Sequence, residues 1–151
     1  KISHSAAKIK LCLQRELKLG NLNALRDWGH AKDYVEAMWK ILQHKKPDDF
    51  VISTGKQYSI RQLIELVGKK LGLKIKWLNK NKGIKEYGID QNDNKIIQVS
   101  KKFFRPSEVD TLLGNSNKAK RVLGWKPTIN FEELISEMVE DKISKIKINE
   151  N

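Results

Sequence analysis

Ser59 is followed three residues later by Gln62, and Ile60, Leu63, Ile64, Val67 and Leu71 then recur at helical spacing up to Gly72. A serine and a glutamine at that separation satisfy each other's free backbone N–H groups at a helix start, and glycine takes the left-handed conformation that ends one. The spacing therefore predicts a helix with both ends specified and one strongly apolar side. Such a helix is unstable alone and must bury that side against other elements. With 151 residues and one cysteine, Cys12, the chain has to supply the covering layer itself, without an internal disulfide.

The pattern elsewhere predicts what that layer contains. Ile2, Ala6, Ile9 and Leu13 predict a helix over 2–17, ended by Gly20 after an apolar run, Leu17 to Leu19, that can pair as a strand. A helix from about Ala31 to Gln43 carries Val35, Met38, Trp39 and Leu42 on one face, and Pro47 bars any continuation beyond it. Residues 50–55 (FVISTG) read as a buried strand, and 74–78 and 96–99 as two more. The intervening stretch 79–95 is polar and glycine-punctuated, which leaves a disordered insertion, the favoured reading, or a functional lid. Ser116 opens a short helix closed by Gly124, and Asn130 with Glu133 opens the last one, with 147–151 expected to fray. The sum is one mixed, helix-rich α/β domain of about five helices and three or four short strands.

Charge narrows the function classes. Thirty Lys and Arg against 18 Asp and Glu give 30 − 18 = +12, which would suit a polyanionic partner. Yet residues 1–75 carry 15 basic and 7 acidic groups and residues 76–151 carry 15 and 11, so both halves mix signs. Lysines on solvated helix faces explain this better than a nucleic-acid surface does. A basic nucleic-acid-binding module therefore stays only as a reading from another class, as does a pure assembly domain. No apolar run is long enough for a membrane span, no Cys/His spacing suits zinc, and a reducing, cytoplasmic setting is the default expectation.

Only five arginines stand among the basic residues, and two lie in compact polar constellations. In Arg26-Asp27-Trp28-Gly29-His30, a short loop before a helix can aim a guanidinium at an anion; alternatively Asp27 caps the helix and Arg26 pairs with Asp27 or Asp33. In Phe103-Phe104-Arg105-Pro106-Ser107-Glu108, proline restricts Arg105 to extended backbone and so stiffens its presentation. Two arginines held this way could converge on a diphosphate, with Glu108 accepting from sugar hydroxyls; the plain alternative for Glu108 is a surface carboxylate.

These residues also carry a resemblance. The segments LGNLNALRDWGHAKDYVEAMWKILQ, DDFVISTGKQYSIRQLIELV, FFRPSEVDTLLGNSNKAKRVLGWKP and FEELISEMVEDKI together resemble the C-terminal half of the GDP-mannose 4,6-dehydratase family. The family's extended short-chain dehydrogenase/reductase architecture implies an N-terminal Rossmann domain holding NADP, followed by a smaller domain holding a GDP-sugar. Residues 31–54 would pack back on the Rossmann domain and leave Val35, Trp39, Phe50 or Ile52 exposed in this chain alone.

Family chemistry takes hydride from C4 of GDP-mannose, eliminates water across C5 and C6, and returns hydride to C6, giving GDP-4-keto-6-deoxymannose on the route to GDP-fucose. Its catalytic Tyr-x-x-x-Lys belongs to the N-terminal half. Neither Tyr34 nor Tyr58 has a lysine four positions on, so no catalytic residue is expected here and the chain alone should be inactive. The chain also opens on Lys1 without a methionine and is read as a piece of a longer protein. Residue by residue, the resemblance implies that Arg26 and Arg105 contact the diphosphate and Glu108 the ribose or guanosine end, that Lys1, matching a lysine just after the family's NADP-contacting arginine, also touches substrate, and that Asn21 borders the nucleotide pocket. It places Cys12, within a helix, where the family more usually has glycine, and implies a packing role for it. It further implies a homo-oligomer assembled through the Rossmann halves. A related nucleotide-sugar epimerase or reductase is the alternative within the superfamily.

Overall fold

The computed structural model describes residues 1–105 and 109–148. Five α-helices, α1 (Ile2–Lys10), α2 (Ala31–Leu42), α3 (Ile60–Lys70), α4 (Asn117–Leu123) and α5 (Phe131–Ile148), alternate with six short strands. The strands are β1 (Leu17–Leu19), β2 (Leu25–Asp27), β3 (Gln57–Ser59), β4 (Lys76–Leu78), β5 (Tyr87–Ile89) and β6 (Lys95–Val99). Four of them form a sheet in the order β1-β6-β5-β4, with β1 parallel to β6 and the other pairs antiparallel. The other two, β2 and β3, make a separate antiparallel pair.

Helix α3 is the hub, and its ends are those expected. The Ser59 hydroxyl accepts from the Gln62 N–H at 3.1 Å while the Gln62 side chain accepts from the Ser59 N–H at 2.7 Å. Ile64 enters the sheet core with Leu17, Leu19, Leu22, Ile96, Ile97 and Val99, whereas Leu63, Val67 and Leu71 pack with Ile135 and Val139 of α5. A third, smaller cluster joins α2 to α4 through Ala37, Ala119 and the fully buried Trp125. The sheet, α3 and α5 are thus consecutive layers, and α2 sits at the margin.

Four expectations need correction. Helix α1 ends at Lys10 instead of 17, because the Leu13 N–H donates to the Lys8 carbonyl at 2.8 Å and that of Cys12 to Ile9 at 3.0 Å. This pair of bonds closes a helix through a left-handed residue. Cys12 is that residue, with φ of 61°, and it is exposed, so it is neither helical nor packed. Glycine would adopt that backbone without strain.

Residues 50–55 run extended but pair with no strand among the described residues, and Val51 is exposed, since β3 pairs with β2 instead. The stretch 79–95 is neither disordered nor a lid. It forms a 3₁₀ turn (Gly83–Lys85), strand β5 inside the sheet, and a turn in which the Asp90 carboxylate accepts from the N–H groups of Asn92 and Asn94.

Most other expectations hold. Gly124 ends α4 at φ of 61°, and Asn130 and Glu133 cap α5 reciprocally. The expected fraying from 147 is not seen at 147 and 148, which continue α5, and 149–151 lie outside the described residues. Val35, Met38, Trp39 and Leu42 of α2 are 61–80% exposed, while Phe50 and Ile52 are half-buried near Trp125. No helix of the described residues is long and apolar enough to cross a membrane.

Candidate functional site

Because β1 and β6 run parallel, their carboxyl ends lie side by side, and the Ser100 N–H donates to the Leu19 carbonyl at 2.8 Å. Ligands of open α/β sheets bind off such ends. The two connections leaving them are clamped together at Gly20, where a β-carbon would sit 2.2 Å from the Phe103 carbonyl oxygen. Only glycine permits that approach. Beyond the next loop the chain is tied down again, with the Leu25 N–H donating to the Asp110 carbonyl at 2.8 Å and Gln57 bonding the Thr111 hydroxyl at 2.8 Å. The described residues on either side of 106–108 are therefore both tied to the β1–β2 region, Phe103 at Gly20 and Asp110 at Leu25.

Four of the five expected site residues fall on this frame. Arg26 lies on β2, half-buried, and its Nη1 donates to the carbonyls of Leu25 at 2.7 Å and Val109 at 2.9 Å. Its guanidinium thus braces the chain at Val109. Arg105 is exposed. Asn21 lies in the turn beneath, its side-chain oxygen accepting from the Asn23 N–H at 2.9 Å. Lys1, at the start of α1, holds its ammonium 3.9 Å above the Phe103 ring, a cation–π contact. Glu108 lies outside the described residues, as do Pro106 and Ser107.

The alternatives left open for Arg26-Asp27-Trp28-Gly29-His30 are also resolved in part. The cap of α2 is His30, whose Nδ1 accepts from the Lys32 N–H at 3.1 Å, and not Asp27. Asp27 accepts from Thr54 N–H and hydroxyl and from Gly55 N–H at 2.6–3.0 Å, which ties the extended 50–54 segment to β2. Asp33, buried, accepts from Thr128 N–H and hydroxyl and from Ile129 N–H at 2.6–3.1 Å, while the Asp33 carbonyl accepts from the Trp125 indole at 2.8 Å. Burial works to raise the Asp33 pKa, but the Thr128 hydroxyl, the Ile129 and Thr128 N–H groups and the nearby His30 outweigh it and hold the carboxyl below the usual range.

Sequence reasoning missed a second polar centre. Arg61 and Glu86 form an ion pair with side chains only 8% and 3% exposed, directly under the 20–24 turn. Arg61 was visible as one of five arginines, but Glu86 lies in the stretch whose polarity suggested disorder. Phe103 stood out only as part of a motif; nothing in its spacing announces the contact with Lys1.

The strand-to-helix turn of β2–α2 carries one glycine, Gly29, and a β-carbon on it would meet the Tyr34 hydroxyl at 2.2 Å. The β3–α3 junction has no turn residues at all. No group of three or more His, Cys, Asp or Glu among the described residues could hold a metal.

A sequence-family model described as GDP-mannose 4,6 dehydratase matches residues 1–138. The chain belongs to the GDP-mannose 4,6-dehydratase family. It is 51% identical over 144 residues to GDP-mannose 4,6 dehydratase 2 of Caenorhabditis elegans, covering 95% of this chain and 37% of that protein. The human GDP-mannose 4,6 dehydratase is 47% identical over 152 residues, covering all of this chain and 40% of the relative. The Vibrio cholerae enzyme is 45% identical, covering 92% and 40%.

The chain thus spans about two fifths of the length of the curated relatives it matches. Among solved structures, RMD from Pseudomonas aeruginosa complexed with NADPH superposes with a TM-score of 0.75 at 20% identity, over 95% of this chain and 41% of that one. The dTDP-glucose 4,6-dehydratase of Bacillus anthracis in complex with NAD gives 0.68 at 19% identity, over 96% and 39%. These superpositions show that the chain shares its mixed α/β fold with about two fifths of each of those structures.

Proposed function

We propose that this chain is the nucleotide-sugar-binding portion of an NADP-dependent GDP-mannose 4,6-dehydratase, a lyase whose remaining portion, an N-terminal Rossmann domain, carries the cofactor and the reacting residues. The observation that supports the reading is that Phe103 packs on Gly20, Asp110 accepts from Leu25 and Arg26 donates to Val109, so the described residues flanking the Arg105 motif are tied to the segment that bears Arg26. Arg26 and Arg105 neutralise the diphosphate of GDP-mannose, and Glu108 accepts from the ribose or guanosine hydroxyls. Lys1 and Asn21 border the nucleotide.

The chemical contribution is positional. Guanidiniums held by carbonyl acceptors and a tethered loop lose little freedom on binding, and a diphosphate clamped at both arginines leaves the hexose in one orientation for a reaction performed elsewhere. The exposed apolar face of α2 and the unpaired 50–54 segment dock on the remainder of the protein. Alone, the chain converts no GDP-mannose.

Titration calorimetry with GDP and GDP-mannose tests the reading. Arg26→Ala and Arg105→Ala are each expected to weaken binding by about tenfold or more, the loss of a charged hydrogen bond being about 1.5–3 kcal/mol. Unchanged affinity in both variants would overturn the assignment, and turnover by the purified chain would overturn its division of labour.

A further inference from the structure

A charge pair withdrawn this far from water contributes little net stability compared with apolar side chains of the same volume, because desolvation offsets the attraction. Arg61 and Glu86 nevertheless occupy such a position, and their remaining hydrogen-bonding capacity is spent on loops. Arg61 Nη2 donates to the Asn23 side-chain oxygen at 3.0 Å, and its N–H donates to the Leu22 carbonyl at 2.9 Å. Glu86 accepts from the Asn81 N–H at 3.2 Å through its second carboxylate oxygen, and the Asn23 amide donates to the Asn81 side chain at 3.2 Å. The Trp77 ring covers the guanidinium, centred 4.7 Å away.

The segments so joined have no regular structure of their own. Hydrogen bonds link the 20–24 turn to the 79–82 loop through Asn23, Asn81 and the ion pair beneath them, and Asn79 and Asn81 hold positive φ of 52° and 63°. The geometry points to Arg61 and Glu86 as positioning residues for the ligand surface: the fork of Arg61 sets where the 20–24 turn stands, and that turn carries Asn21 and packs at Gly20 against the Phe103 carbonyl. This rests on the nucleotide-sugar reading of the surface above. Arginine is needed because its planar fork bonds the carboxylate and Asn23 at once, which a lysine ammonium on a flexible stem does not reproduce.

The test uses the 151-residue chain with GDP as the probe and compares wild type with Arg61→Lys, Glu86→Gln and Asn23→Ala. Asn23 is exposed, so Asn23→Ala remains a folded readout if either buried variant fails to fold. Asn23→Ala is expected to weaken GDP binding about fivefold while thermal unfolding stays close to wild type, the signature of a displaced turn. Amide hydrogen exchange should accelerate at Asn23, Leu25 and Asn81 and stay unchanged across α5.

Unchanged GDP affinity in Asn23→Ala, or exchange that rises evenly through the whole chain in every folded variant, overturns the positioning role and leaves the pair a packing feature. If the wild-type chain binds no GDP, the nucleotide assignment fails by itself. The exchange pattern then still supports or overturns the mechanical linkage.

Discussion

Cys12 shows how a local pattern can misread one residue. The apolar spacing of Ile2, Ala6, Ile9 and Leu13 ran the helix through it, whereas the backbone at 12 is left-handed and the helix is already closed. A side chain in that conformation costs about 1–2 kcal/mol relative to its right-handed form, and glycine avoids the cost. Cys12→Gly should therefore raise stability by about 1 kcal/mol, read as a higher midpoint in urea; a lower midpoint would show that the side chain contributes something the exposed thiol does not suggest.

Asp33 is the opposite case, a plain helix-start carboxylate in the sequence that proves to hold the 125–129 segment. Its folded pKa lies below its unfolded one, so its contribution is fully present above the unfolded value near 3.8 and is lost as pH falls through the folded value. Asp33→Asn should cost about 1–3 kcal/mol at neutral pH, since it sets an amide donor against the N–H groups of Thr128 and Ile129. It should also remove part of the stability loss seen below pH 4. Acid titrations of variant and wild type by circular dichroism that run parallel would contradict this.

Among elements, α2 differs in kind from α3 and α5. Its apolar stripe is as regular as theirs, but only Ala37 and Asp33 are buried, while Val35, Met38, Trp39 and Leu42 face solvent. Replacing exposed residues moves stability within about 0.5 kcal/mol, so Val35→Gln with Trp39→Gln should leave the unfolding midpoint of this chain nearly unchanged. Removing an exposed apolar patch should also reduce self-association in sedimentation. A large destabilisation would mean that the stripe is packed within these residues after all.

Strand β5 is the complementary lesson. Tyr87-Gly88-Ile89 is short and flanked by polar residues, so no periodicity reveals it, yet it lies between β6 and β4. Gly88 sits against Trp77 and Ile75, a closeness visible only in three dimensions.

For the whole molecule, the element order, the α3 capping box, the helix ends at Gly72, Gly124 and Asn130, and the arginine motifs could all be read from local spacing, because caps and turns are made by residues within a few positions of each other. The family, too, was legible in the motifs. What local spacing could not supply was every feature made by distant segments meeting. Parallel pairing of β1 with β6 brings two carboxyl ends together, and the folded 79–95 segment delivers Glu86 under the 20–24 turn. Arg26 reaches Val109 across the chain, and 50–54 stays unpaired because β2 has taken β3 as its partner. Hydrogen bonds and apolar contacts between residues far apart in sequence depend on which surfaces are left after each element has formed. The residues proposed to hold a nucleotide sugar were thus marked by the sequence, whereas the gathering of Lys1, Asn21 and Arg26 around the Phe103 and Val109 segments was decided by the tertiary fold.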